Sequence, residues 1–106
     1  MVTLVKEENF AAEVLEAAGG VVVDLYADWC NPCKAMAPVI EALSQTMPEV
    51  KFCKCNIDQA PSLPRQYRVF SIPAFLVFRD GERKATIVGE MEEGELEEEI
   101  RKALEQ

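Results

Sequence analysis

A chain of 106 residues has room for one hydrophobic core, because two halves would each be too small to fold without metal or disulfide help. Residues 1–106 are therefore expected to form a single domain. Hydrophobic residues make up 49% and charged residues 28%, a globular rather than a disordered or repetitive composition. Eleven Lys and Arg against nineteen Asp and Glu give a net charge of −8, which repels nucleic acid and anionic lipid, so neither is an expected partner. The apolar runs span only a few residues and no basic stretch leads into an apolar one at the start. Neither a membrane-spanning helix nor a secretory leader is expected, and the cytoplasm is the expected location.

In chain order, residues 2–5 form a short β-favouring run. Phe10, Ala11, Val14, Leu15 and Ala18 then fall at helical spacing and predict a helix stopped by Gly19-Gly20. Residues 21–26 are almost continuously apolar and β-branched, as in a parallel strand covered on both faces. From Cys30, the positions Met36, Val39, Ile40 and Leu43 predict a helix to about Met47, kinked at Pro38. Residues 50–57 read as a buried strand, and 61–67 hold only a short helix that Pro64 limits. Strands over 74–78 and 83–88 join through Asp80-Gly81, a type I′ hairpin signal, and Gly89 breaks the second. Leu96, Ile100, Ala103 and Leu104 stripe a final helix with acids early and Arg101 and Lys102 late, as the helix dipole favours. The order β-α-β-α-β-α-β-β-α predicts an α/β fold, a central mixed sheet with helices on both faces.

The absence of histidine excludes Ser-His and Cys-His catalytic pairs and His-ligated metal. Chemistry then falls to the four cysteines, as Cys-x-x-Cys at Cys30 and Cys33 and Cys-x-Cys at Cys53 and Cys55, a pattern open to redox work or to metal. Trp29-Cys30-Asn31-Pro32-Cys33-Lys34 lies where the central strand hands over to a helix, at the carboxyl edge where open α/β sheets place ligands. A cysteine at a helix start meets unpaired N–H groups and the positive dipole end, both favouring the nucleophilic thiolate. One turn on, Cys33 is close enough to close a disulfide, and Pro32 suits the first turn. Asp24 is the one charge in a strand that should be buried, so burial should raise its pKa.

The segments 23–34, Asn56-Ile57-Asp58, Ser71-Ile72-Pro73-Ala74 and Asp80-Gly81 resemble the thioredoxin family in order and spacing across nearly the whole chain. The resemblance implies the thioredoxin fold and a protein-disulfide reductase in which Cys30 attacks, Cys33 resolves and Pro73 follows a cis peptide bond. It implies that Asp24 relays the resolving thiol's proton with Lys54 nearby; the plainer alternatives are a wet strand end or a simple pair with Lys54. Trp29, Ile72, Pro73 and Gly89 would line a shallow apolar groove for substrate polypeptide, beside Asn31 and Pro32 of the active-site loop. The implied partners are disulfide-containing proteins and a thioredoxin reductase as electron donor. The implied protein is a monomer with no bound cofactor or metal, its redox centre being the Cys30–Cys33 disulfide.

Departures from the pattern bear on partner choice. Asn31 replaces the usual Gly between the cysteines, which alters the backbone around the thiolate and hence the redox potential. Ala74 stands where Thr is common, Tyr26 where Trp is common, and Phe70-Ser71 replaces a basic, Gly-containing approach to Ile72. Cys53 and Cys55, two apart on a strand and so ~7 Å apart on one face, are too distant for an unstrained disulfide and read as small buried hydrophobes. The glutamates between Glu90 and Glu99 read as a solvated helix face. Two rival functions remain: a thioredoxin-like protein serving one dedicated partner, and a metal module using Cys-x2-Cys-x19-Cys-x-Cys.

Overall fold

In the computed structural model, which describes residues 1–106, the β-branched runs become β1 (Val2–Leu4), β2 (Gly20–Tyr26) and β3 (Val50–Asn56), aligned in parallel. The hairpin of β4 (Ala74–Arg79) and β5 (Glu82–Val88) adds antiparallel to β2, completing a five-stranded mixed sheet in the order β1-β3-β2-β4-β5. The central strand β2 is the one read as covered on both faces, and Val21, Val22, Val23 and Leu25 are each 0% exposed.

Side chains alternate across β2 and so divide the core into two layers. On one face Val22, Phe52, Phe75 and Val77 pack under α1 (Asn31–Thr46) and α3 (Glu93–Leu104), which supply Met36, Ile40, Leu43, Leu96 and Ile100. On the other face Val21, Val23, Leu25, Leu76 and Phe78 meet Phe10, Val14 and Leu63, the last from α2 (Ser62–Gln66). Helices thus lie on both faces, as the alternation of elements predicts. The helix α1 runs unbroken through Pro38. At the end of α3 the Arg79 guanidinium donates to the Leu104 carbonyl, an acceptor that the last helical turn leaves free, and to the carbonyl of Gln106 beyond the helix.

The helix predicted to run to Gly19-Gly20 is instead a five-residue π-helical turn, Ala11–Leu15. A continuing helix would point the Gly19 N–H at the Leu15 carbonyl. The hairpin captures that group: Gly19 N–H donates to Asp80 Oδ1 at 2.8 Å, and Asp80 N–H returns a bond to the Gly19 carbonyl at 3.0 Å. The turn that captures it has φ of 51° at Asp80 and 83° at Gly81, the positive pair of a type I′ turn. A Cβ on Gly81 would press on the Leu15 carbonyl oxygen. Gly81→Ala should therefore lower the denaturant midpoint by the equivalent of about 2 kcal/mol, through both φ and contact, without changing the slope of the transition. The strand β5 also carries a bulge: Val77 pairs with Ala85 and Phe78 with Arg83, leaving Lys84 as the extra residue.

Candidate active site

The carboxyl end of β2 delivers Ala27, Asp28 and Trp29, and the chain then turns into α1. Cys30 is the N-cap of that helix, in extended conformation, and the Cys33 N–H points at its sulfur across 3.2 Å. Pro32 occupies the first turn, where its missing N–H costs no hydrogen bond. The two cysteines form a disulfide with their Cα atoms 5.2 Å apart, and both are nearly buried, at 5% and 4% exposure. Over Cys30 lies the loop before β4: the Ile72 carbonyl oxygen is 3.9 Å from its Sγ, and the Ile72–Pro73 peptide is cis. Gly89, at φ 108°, donates its N–H to the Pro73 carbonyl at 2.9 Å and ties the end of β5 to that loop.

Trp29 is 66% exposed, and its indole N–H donates to Asp58 Oδ2 at 2.9 Å. Asp58 is held in turn, its N–H donating to the Asn56 side-chain oxygen at 2.9 Å. Asp58 thereby holds the Trp29 ring, a contact visible in the sequence only through the Asn56-Ile57-Asp58 segment. The signal was the Asn56-x-Asp58 spacing, in which an Asn side chain bonds the backbone two residues on. Trp29 and Ile72 share a groove of about 560 Å³ with Ile57, Asp58, Pro61, Pro64, Arg65, Val69, Phe70 and Ser71. Pro73 and Gly89 do not line it: Pro73 is buried beneath the loop, and the groove extends towards α2 instead.

Asp24 falls on the face of β2 covered by α1 and is 5% exposed. It lines a second cleft, of about 420 Å³, with Cys33, Lys34, Ala37, Tyr26, Ala27, Asp28 and Lys54. Its Oδ1 has no hydrogen-bond partner. Burial pushes its pKa up to about 7, against the opposing pull of the Lys54 charge. Lys54 stands in register with it on β3 but is itself exposed, so the two act on each other across the cleft. A wet strand end does not describe a carboxyl this deeply buried.

Cys53 and Cys55 are 0% exposed and point into the opposite core layer, away from the Cys30–Cys33 pair. Burial pushes both thiols up to about 11. No group of three or more Cys, Asp or Glu side chains converges as a metal set would. Replacing both buried cysteines with Ala should cost stability, ~1 kcal/mol for each sulfur lost from the core. Turnover should stay within a few-fold, a result that parallel activity and denaturation measurements would check.

A vicinal cysteine pair at a helix start, beside a cis-proline loop on a mixed α/β sheet, defines a thiol–disulfide exchange protein. Comparison with known proteins agrees. A sequence model described as Thioredoxin matches residues 1–102. The thioredoxin of Chlamydia trachomatis is 44% identical over 89 residues, 84% of this chain and 85% of its own. That of Rickettsia felis is 38% identical over 105 residues, 98% of this chain and 100% of its own. Thioredoxin 1 of Synechococcus elongatus is 43% identical over 86 residues, 80% of each chain. The chain belongs to the thioredoxin family, and it is a protein dithiol–disulfide oxidoreductase with Cys30 and Cys33 as its active-site pair.

Proposed function

We propose that Cys30 is the attacking thiolate and Cys33 the resolving thiol in the reduction of protein disulfides, within a single domain spanning residues 1–106. The observation that carries the assignment is the N-cap position of Cys30, with the Cys33 N–H and the helix dipole on its sulfur. Cys30 attacks one sulfur of the substrate, forming a mixed disulfide and releasing the other sulfur as thiolate. Cys33 gives its proton to the Asp24 carboxylate and attacks the Cys30 sulfur. The second substrate thiolate leaves, and a Cys30–Cys33 disulfide remains. Two electrons pass to the substrate, and its thiolates take up protons. The raised Asp24 pKa suits a base working near neutral pH. Asn31, Pro32, Trp29 and Ile72 form the face on which the polypeptide docks, and Pro73 with Gly89 holds the Ile72 loop in place behind it.

The electrons reside in the cysteine pair, so no bound cofactor or metal takes part, and a separate thioredoxin reductase restores the dithiol. In this reading the protein works as a monomer in the cytoplasm. Insulin reduction tests it: the protein should reduce insulin disulfides catalytically with NADPH and a thioredoxin reductase, and only stoichiometrically without the reductase. Failure on insulin, with retained exchange on a small aromatic disulfide, would favour service to one dedicated partner instead.

A further inference from the structure

Of five phenylalanines, four are buried at 4% exposure or less, whereas Phe70 is 93% exposed, more than any other large apolar side chain. Folding gains nothing from a ring left in water. Phe70 lines the same groove as Trp29, the only other aromatic ring that is mostly exposed. The chain just before Phe70 is held: Val69 N–H donates to the Pro64 carbonyl at 2.8 Å, and Arg68 stands at φ 56°. The groove lies next to the sulfur pair: Ile72 and Trp29 line it, Trp29 precedes Cys30 in the chain, and the Ile72 carbonyl is 3.9 Å from Cys30 Sγ. The lining mixes apolar Ile57, Val69, Phe70 and Ile72 with the charged Asp58 and Arg65, and Asp58 accepts the Trp29 indole N–H at one of its oxygens.

A polypeptide whose disulfide reaches Cys30 must lay the residues beside its cysteine across this groove. We infer that Phe70, in the groove it shares with Trp29, clamps a large apolar side chain flanking the attacked cysteine of a polypeptide substrate, and so sets selectivity among disulfides. The inference rests on Cys30 being the attacking thiol; Phe70 takes no part in the exchange itself.

Two disulfide-linked peptides, identical except that the attacked cysteine is flanked on both sides by Leu or by Ser, test it. Wild type should favour the Leu peptide in kcat/KM by about tenfold, the low end of what apolar contacts set in an enclosed pocket, as suits an open groove. Phe70→Ser should bring that ratio close to one by raising KM for the Leu peptide while its kcat holds, and Phe70→Leu should keep most of the preference. An unchanged ratio in Phe70→Ser, or equal use of both peptides by wild type, overturns the clamp. Reduction of neither peptide by any of the three proteins overturns the assignment of Cys30, and the clamp with it.

Discussion

Cys33→Ser should turn the protein into a trap: attack at Cys30 still occurs, but the mixed disulfide has no internal thiol to resolve it, and substrate stays covalently bound. Cys30→Ser should abolish both reduction and trapping. Nearly all activity is lost in each variant, and the difference lies in what accumulates. The asymmetry follows from α1: Cys30 holds the cap and receives the Cys33 N–H, whereas Cys33 lies one turn inside the helix, beside the Asp24 cleft. Non-reducing electrophoresis with mass spectrometry reads the outcome. Trapping by Cys30→Ser and not by Cys33→Ser would reverse the two roles.

Asp24→Asn should be more stable than wild type at neutral pH and a slower enzyme. The folded-state pKa is raised to about 7 by burial, above an unfolded value of ~3.9. Between those values the native state binds more protons than the unfolded chain, so wild-type stability falls as pH rises through the window. Below the unfolded pKa the penalty is absent; above about 7 it is complete. The stability gap between the variant and wild type should therefore widen by on the order of 4 kcal/mol from pH ~4 to pH ~8. The amide retains the size of the carboxyl, so packing survives. Resolution by Cys33 should slow about tenfold, less than a general base usually contributes, because the cleft admits water. Denaturant titrations across that range, with single-turnover rates, check both. A pH-independent gap, or a fully active variant, would remove Asp24 from the proton path.

The sheet was legible wherever burial and chain direction act on a local pattern. Residues 21–26 show a two-sided strand because both faces are covered, and Asp80-Gly81 shows its turn because few other pairs tolerate two positive φ values. The dithiol site was legible for the same reason: a cysteine at a helix start carries its own electrostatics. Asp24 stood out as the one carboxyl in an apolar run, and its missing hydrogen-bond partner bears out the cost read there. What failed was set by distant contact. Residues 10–18 have helical spacing, yet the helical turn stops at Leu15, and Gly19 is held instead by Asp80 of the distant hairpin. The groove could not be drawn either, since its walls come from segments around 29, 57, 65 and 70 that meet only after folding.

One measurement bears most directly on the Cys30–Cys33 couple: the fully reduced protein is mixed with one equivalent of a disulfide peptide, quenched in acid, and its four cysteines are alkylated after denaturation and mapped by mass spectrometry. The expected result is two free peptide thiols for each Cys30–Cys33 disulfide formed, with Cys53 and Cys55 alkylated in full. Oxidation appearing at Cys53 or Cys55, or peptide reduction that leaves Cys30 and Cys33 as thiols, would contradict it.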